Sequence, residues 1–170
     1  MNEIIEKRCS CKKYLSKKVE QKKIDEVIKA GLKAPSGKGS QNGIIIEITD
    51  EKTIDELAKL NAKIGGFPSN VNPFYGAKCI LLVAVKNCNT AIYDGSCMIE
   101  NMLLEATDLG LGSCWIHRAK EEIESKEGKE ILSSLPLDLN DYIGVGHVLL
   151  GYPDGPTTVK EIKENRVFKI

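Results

Sequence analysis

The sequence predicts an α+β fold in which a sheet packs against helices. Segments with the period of a helix interleave with strand-like segments, and the four strand-like segments are unevenly spaced. In addition, no strand-like segment is followed by the pattern GxGxxG. These observations argue against a doubly wound dinucleotide-binding fold, whereas a sandwich of sheet and helices accommodates them.

The composition is that of an ordinary globular protein. Its 170 residues fit one domain, 1–170, or one protomer of an intertwined dimer. The 24 basic residues cancel the 24 acidic ones, so no overall charge favours nucleic acid or an anionic membrane as a partner. No apolar signal segment follows Met1, the apolar runs are too short to span a bilayer, and the six cysteines lack a CxxC pair. We therefore expect a cytoplasmic protein with reduced thiols.

Three helices and one strand are predicted in the first part of the chain. The second helix is amphipathic, because its apolar residues fall on one face. It ends before Pro35, since proline disfavours helical geometry in the residue that precedes it. We expect helices at 4–8, 20–33 and 51–60, a glycine-rich loop at 34–40 and a strand at 43–49.

The remainder contains three strands, two helices and a tail. The helix at 94–109 is apolar nearly all round, which places it in a core or a subunit interface. The tail after Pro153 has little apolar pattern, so we expect it to pack on another chain. The other expected elements are an irregular connection at 65–73, strands at 78–86, 112–117 and 142–150, and a charged helix at 120–133.

Four cations surround a serine and two cysteines in the octapeptide 7–14. The Arg8 guanidinium offers a planar fork for phosphate oxygens, Lys12 a mobile charge and Ser10 a neutral hydrogen bond. The pattern predicts a phosphate site, although a solvated basic turn fits the octapeptide equally well. A metal site at Cys9 and Cys11 has little support, because no other cysteine or histidine is close in sequence.

Small and polar residues dominate the loop 35–41. Such a loop lets a flat ligand approach backbone amides, and Ser36, Ser40 and Gln41 could hydrogen-bond the polar edge of a ring. Taken alone, the segment is equally compatible with a simple turn between a helix and a strand.

Glycines also separate the apolar helix from the strand in the segment 109–117, where exposed backbone groups could bond a heteroaromatic ring. His117 is a candidate acid or base. A strand-end histidine that contacts backbone fits better, because no carboxylate stands beside it in the sequence. The charge run 160–166 is typical of solvated surface, yet its cations could join those of the octapeptide if the tail folded back over a phosphate.

The ordered set of these motifs resembles the FMN-dependent nitroreductase family. Members begin with Arg-x-Ser-x-(Arg or Lys)-x-(Phe or Tyr), which Arg8, Ser10, Lys12 and Tyr14 match at every named position. Their later motif, Ala-Pro-Ser-x-x-Asn-x-Gln, corresponds to the segment 34–41 here. The apolar helix that runs into Gly110 and Gly112, and the final strand that runs into 151–153, are also similar.

The resemblance implies a nitroreductase-like α+β fold, with a central, mainly antiparallel sheet flanked by helices. It also implies an intertwined homodimer that exchanges C-terminal tails and holds FMN at its interface. Arg8, Ser10 and Lys12 would bind the FMN phosphate near the Cys9 backbone. The ring would be lined by Pro35, Ser36, Gly37, Gly39 and Gln41 and, near its N5 atom, by the backbone of Ile116, His117 and Arg118, while Lys163 or Arg166 would close on the phosphate.

The chain departs from the family pattern at Gly39, where members have asparagine. The side-chain bond of that asparagine to the flavin would be lost unless Gln41 or backbone replaces it. The chain also lacks the helical insertion that covers the active site of larger members, which leaves 64–74 as the expected cover.

The resemblance implies a two-electron oxidoreductase that uses NADH or NADPH to reduce a small electron-poor acceptor by ping-pong hydride transfer. Nitroaromatics and quinones are the acceptors that we expect, and no side chain is assigned as an essential acid or base. The alternatives are a flavin-binding or storage protein without turnover and a different flavin-dependent reduction on the same scaffold. A redox-sensing thiol protein built around Cys9 and Cys11 belongs to a different class.

Overall fold

A four-stranded antiparallel sheet forms the centre of the computed structural model, which describes residues 2–170. The strands lie in the order β1-β2-β4-β3, and each neighbouring pair is antiparallel. The prediction of a central antiparallel sheet is therefore confirmed. The strands are β1 (Gly43–Ile48), β2 (Cys79–Lys86), β3 (Gly112–Ile116) and β4 (Tyr142–Gly151).

Helices cover both faces of this sheet. Within residues 2–170 they are α1 (Glu3–Lys7), α2 (Gln21–Leu32), α3 (Glu51–Ile64), α4 (Ala91–Asp108), α5 (Ala119–Glu124) and α6 (Lys126–Ile131), with short 3₁₀ turns at Gly37–Gly39 and Leu139–Asp141. Apolar side chains of α2 and α4 form the core on one face, and those of α3 and α5 form the core on the other. Because both of their faces are covered, β2 and β4 have apolar runs in place of alternation.

The prediction of a single helix at 120–133 is wrong, because the structure divides this segment into two helices at Ser125. Ser125 has an extended backbone, and its hydroxyl donates to the Glu122 carbonyl (2.7 Å) and accepts from Gly128 N–H (2.9 Å). A serine that caps the following helix in this way ends one helix and begins another. The charge pattern of the segment does not distinguish one helix from two.

A bulge in β4 determines which side chains face which helices. Val83 pairs with Gly146 and Ala84 with Gly144, so Val145 is an extra residue without a partner on β2. Both Val145 and Val148 therefore face α4, although three positions separate them. A Cβ atom on Gly95 of α4 would lie 2.4 Å from a Val145 methyl group, which shows how closely the helix approaches.

The C-terminal tail packs on little of its own chain. Residues 154–170, all within the described range, form no helix or strand, and every residue from 155 onward is exposed. Ile162, Val167 and Phe168 expose 77%, 80% and 87% of their surface. Such apolar side chains on a segment without a core of its own are typical of a surface that another chain covers.

We expect Gly95→Ala to lower the free energy of unfolding by about 1–3 kcal/mol through overpacking against Val145, despite the better helix propensity of alanine. Urea unfolding measures this change. Adding Val145→Ala should recover part of the loss, because it removes the clashing methyl groups. A single variant as stable as the wild type would contradict the close approach of α4 to the bulge.

Candidate functional site

The octapeptide 7–14, which we call the basic segment, runs beside β3, an edge strand of the sheet. Ser10 forms a bridge to Ser113, and Cys11 N–H donates to the Ser113 carbonyl at 2.8 Å. Cys11 is buried, whereas Ser10 and Lys12 on either side are exposed. The alternation of an extended chain thus directs the serine and the lysine away from the core.

An open cleft of about 940 Å³ lies between this segment and the tail. One wall is formed by residues within 5–13, including Arg8, Cys9, Ser10 and Lys12, and the other by residues within 154–162. Lys13 and Asp154 join the two walls through a salt bridge of 2.8 Å. The volume lies within the range of about 300–1,000 Å³ that cofactor sites occupy, and the cations suit an anionic group.

The surroundings of the buried thiols near this cleft favour a structural role over a reactive one. Cys11 donates from Sγ to the Lys13 carbonyl at 3.1 Å. Burial raises the pKa of the Cys114 thiol, and the Ser10 hydroxyl with the nearby Lys12 and Arg8 charges offsets only part of that effect. A thiol with a raised pKa is protonated and unreactive near neutral pH, which disfavours a redox role for Cys114.

The loop 35–41 is held against the first turn of α4. Gly37 N–H donates to Asp94 Oδ1 at 2.9 Å, and the same carboxylate accepts from the Thr90 hydroxyl at 3.0 Å. The Ser36 hydroxyl closes the loop from inside by accepting from Gln41 N–H at 2.9 Å. Asp94 is 6% exposed, so this carboxylate is a buried support for the loop.

Gly39 has a φ of +65°, and its missing side chain would point into open space. Glycine adopts this left-handed conformation freely, and asparagine adopts it more readily than most residues do. The family asparagine and the glycine here are therefore compatible with the same backbone, and the difference between them is the absent side chain.

The turn after β3 contains the third predicted group of site residues. Ile116 is buried at the end of the strand, and the carbonyl of exposed His117 accepts from Asn61 Nδ2 at 2.9 Å. Arg118 has a φ of +81°, donates from Nε to Asn61 Oδ1 at 3.1 Å, and places its guanidinium 4.8 Å from the Phe67 ring centre. Phe67, which lies in the predicted covering segment, thus packs on this turn.

These groups do not share one cleft within a single chain. The loop 35–41 leads into β1, whereas the basic segment pairs beside β3, and the two strands are the opposite edges of the sheet. Strand spacing separates those edges by about 14 Å. The segment 116–118 also lies outside the lining of the cleft, and Lys163 and Arg166 are exposed further along the tail.

The buried polar residues that support these segments are not among the residues predicted from the sequence. Asn61, Glu122 and His147 are completely buried, and Asp94 nearly so. The sequence pattern does indicate that Asn61 is buried, because this residue continues the apolar face of Ile54, Leu57 and Ala58 at helical spacing. Glu122 lies in a charged segment and shows no comparable signal.

Three further findings concern the cysteines, metal ligands and helices of the described residues. All six cysteines are free. Within residues 2–170, no group of three or more histidine, cysteine, aspartate or glutamate side chains could hold a metal ion. No helix in that range is long and apolar enough to cross a bilayer.

Comparison with known proteins identifies the class. The sequence model of the Nitroreductase family matches residues 5–65 and 68–152, which include the basic segment, the loop 35–41 and the turn after β3. The chain belongs to the nitroreductase family. No curated protein matches the sequence.

Solved structures agree with this assignment. A Bacteroides fragilis nitroreductase with bound FMN is 25% identical, with a TM-score of 0.90 over 99% of this chain and 97% of that one. An FMN-dependent nitroreductase of Clostridium difficile R20291 is 26% identical, with a TM-score of 0.81 over 99% and 98% of the two chains. A protein of Parabacteroides distasonis, assigned as an NADH dehydrogenase or NAD(P)H nitroreductase, is 26% identical, with a TM-score of 0.79 over 98% and 95%.

We expect Asp94→Ala to loosen the loop 35–41 and to lower the free energy of unfolding by about 1–3 kcal/mol, because Gly37 N–H loses its acceptor. Hydrogen exchange at the Gly37 amide and urea unfolding measure the two effects. Glu100→Ala, at an exposed position of the same helix, is the control and should change stability by less than about 0.5 kcal/mol. Equal exchange at Gly37 in both variants would contradict the role of Asp94.

Proposed function

We propose that this chain is an FMN-dependent oxidoreductase that takes electrons from NADH or NADPH and reduces small electron-poor acceptors such as nitroaromatics or quinones. The observation that carries the proposal is the cleft beside β3, where Arg8, Ser10 and Lys12 face a space large enough for a cofactor. Family membership and neighbours solved with FMN support the choice of ligand.

The cations of the cleft suit a phosphate better than a neutral ligand. The Arg8 guanidinium can donate two parallel hydrogen bonds to phosphate oxygens, and Lys12 adds a second charge on a flexible stem. The Ser10 hydroxyl, fixed by the bridge of its backbone to Ser113, can donate a third bond. In the proposal, Lys163 or Arg166 of the tail completes this phosphate site, and the Cys9 backbone lies beside it.

In the proposal, the ring of FMN lies on two segments that buried polar side chains support. Pro35, Ser36 and Gly37 line it from a loop supported by Asp94. The backbone of 116–118 meets its N5 side from the turn after β3. When bound, FMN supplies the redox chemistry by accepting a hydride from the nicotinamide and then giving it to the acceptor, and the protein orients the ring and excludes water.

Two observations support a homodimer as the functional form. The loop 35–41 and the basic segment lie at opposite edges of one sheet, so a second copy could bring the loop of one chain to the cleft of the other. The exposed apolar side chains of the tail also need a surface to cover them. We propose that residues 1–170 form one flavin-binding domain whose tail is exchanged between the two copies.

A flavin-binding protein without turnover would use the same phosphate cations, and the absence of a side chain at Gly39 keeps this alternative open. Steady oxidation of NADH or NADPH by the FMN-loaded protein, in the presence of a quinone, would distinguish the enzyme from a storage protein. A protein that binds FMN tightly and never oxidises either nicotinamide would support the alternative.

We expect purified protein to be yellow, and Arg8→Gln to weaken FMN binding by about tenfold or more, since a bond to a charged group contributes about 1.5–3 kcal/mol. Riboflavin has no phosphate, so its affinity should change by less than about twofold in the same variant. Quenching of flavin fluorescence measures both affinities.

Lys18→Gln is the matched control, because Lys18 is an exposed cation outside the cleft. It should leave FMN affinity unchanged. A colourless protein that does not bind added FMN would refute the proposed function. An equal loss of riboflavin and FMN affinity in Arg8→Gln would refute the assignment of the phosphate site.

We expect the full chain to sediment as a dimer, and Phe168→Ser combined with Val167→Ser to shift it towards monomer, because the tail loses the apolar side chains that cover the partner. Analytical ultracentrifugation at several concentrations measures the shift. Lys169→Ser, in the same exposed segment, is the control. A wild-type monomer at high concentration would contradict tail exchange.

A further inference from the structure

Three polar side chains are completely buried on the face of the sheet that α3 and α5 cover. Asn61 of α3, Glu122 of α5 and His147 of β4 have no exposed surface. The Glu122 carboxylate accepts from Asn61 Nδ2 through one oxygen, and its other oxygen lies 2.5 Å from His147 Nε2. The three side chains therefore form one continuous group, which we call the buried triad.

The triad reaches the turn after β3 through Asn61. The Nδ2 group of Asn61 donates to the His117 carbonyl as well as to Glu122, and its Oδ1 atom accepts from Arg118 Nε. Because two acceptors face the nitrogen and a cationic donor faces the oxygen, the orientation of the amide is determined. The amide thus links the Arg118 guanidinium to the Glu122 carboxylate through hydrogen bonds. It also holds His117 and Arg118, the two residues of the turn.

A buried polar group of this kind adds little to the free energy of unfolding by itself. Apolar residues of similar volume often stabilise a core as well as a buried ionisable pair does. Within the described residues, His147 Nδ1 is also buried without a hydrogen-bond partner, which adds an unfavourable contribution. The arrangement favours a role in fixing one conformation.

The conformation that needs fixing is that of Arg118. Its φ of +81° is rarely adopted by residues other than glycine, and such conformations persist when the surroundings impose them. The side chain is clamped by Asn61 and by contact with the Phe67 ring, and the Arg118 carbonyl accepts from Glu122 N–H at 3.0 Å. The guanidinium is thereby engaged within the protein, and the carbonyls of His117 and Arg118 both accept hydrogen bonds from the chain itself.

We propose that Asn61, supported by Glu122 and His147, is a positioning residue that locks the turn 117–118 in the shape that receives the flavin ring. This inference rests on the proposed function, in which the backbone of the turn meets the N5 side of the flavin. The triad acts through the turn and does not touch the ligand.

The first test measures the turn without flavin. Asn61→Leu keeps the approximate volume of the side chain and removes its hydrogen bonds. We expect the amides of 117–123 to exchange at least tenfold faster in this variant, relative to the amides of β2, which report global unfolding. Leu57→Ala, a buried change on the same helix outside the triad, is the control and should leave this ratio within threefold of the wild type.

Arg118→Gly provides a second variant if Asn61→Leu does not fold. Glycine accepts the positive φ without strain, and the half-buried position tolerates the loss of the side chain. It should raise the same exchange ratio at least tenfold. A ratio that stays within threefold of the wild type in either folded variant would overturn the proposal that the triad locks the turn.

The second test uses the FMN-loaded protein. We expect Asn61→Leu to change FMN affinity by less than threefold, since the phosphate site is untouched, and to shift the visible absorption band and the fluorescence of the flavin. A loosened turn with an unchanged flavin spectrum would overturn the link to the ring. If the wild type binds no FMN and the turn is still loosened in the variant, the result would support the locking of the turn by the triad. It would refute the proposed function.

Discussion

The antiparallel pairing of β2 and β4, interrupted by the bulge at Val145, is the constraint on which the other features depend. Before the bulge, Ile143 and Val145 face α4, and beyond it the alternation restarts one residue out of step. Val148 therefore faces α4, and His147 meets Glu122 of α5. A β4 strand without the extra residue would reverse these directions on one side of the bulge and separate the buried triad.

The two edges of the sheet explain why the site residues lie apart. β3 offers an unpaired edge that the basic segment covers, while β1 begins directly after the loop 35–41 at the other edge. In the proposed function, one chain therefore presents its phosphate site and the loop 35–41 in different places. In the proposed homodimer, a symmetric pair of chains would have both parts twice and would complete two equal sites.

Much of the fold could be predicted because helical and strand periods are local properties of the chain. The strands were predicted to within one or two residues, as for β2 and β4, and α2 was predicted from its apolar face. The division at Ser125 could not be predicted, because it depends on hydrogen bonds of one hydroxyl to Glu122 and Gly128. Periodicity carries no information about such a cap inside a charged segment.

By itself, the sequence determined the class of fold and the order of the elements, because periodicity is a property of neighbouring residues. It also predicted a phosphate site at Arg8, Ser10 and Lys12. Only the tertiary structure decided that Asn61, Glu122 and His147 meet, since 86 positions of sequence separate the first from the last. Buried polar contacts of this kind depend on the register of β4 and the packing of α3 against α5. Both are long-range properties that no local pattern encodes.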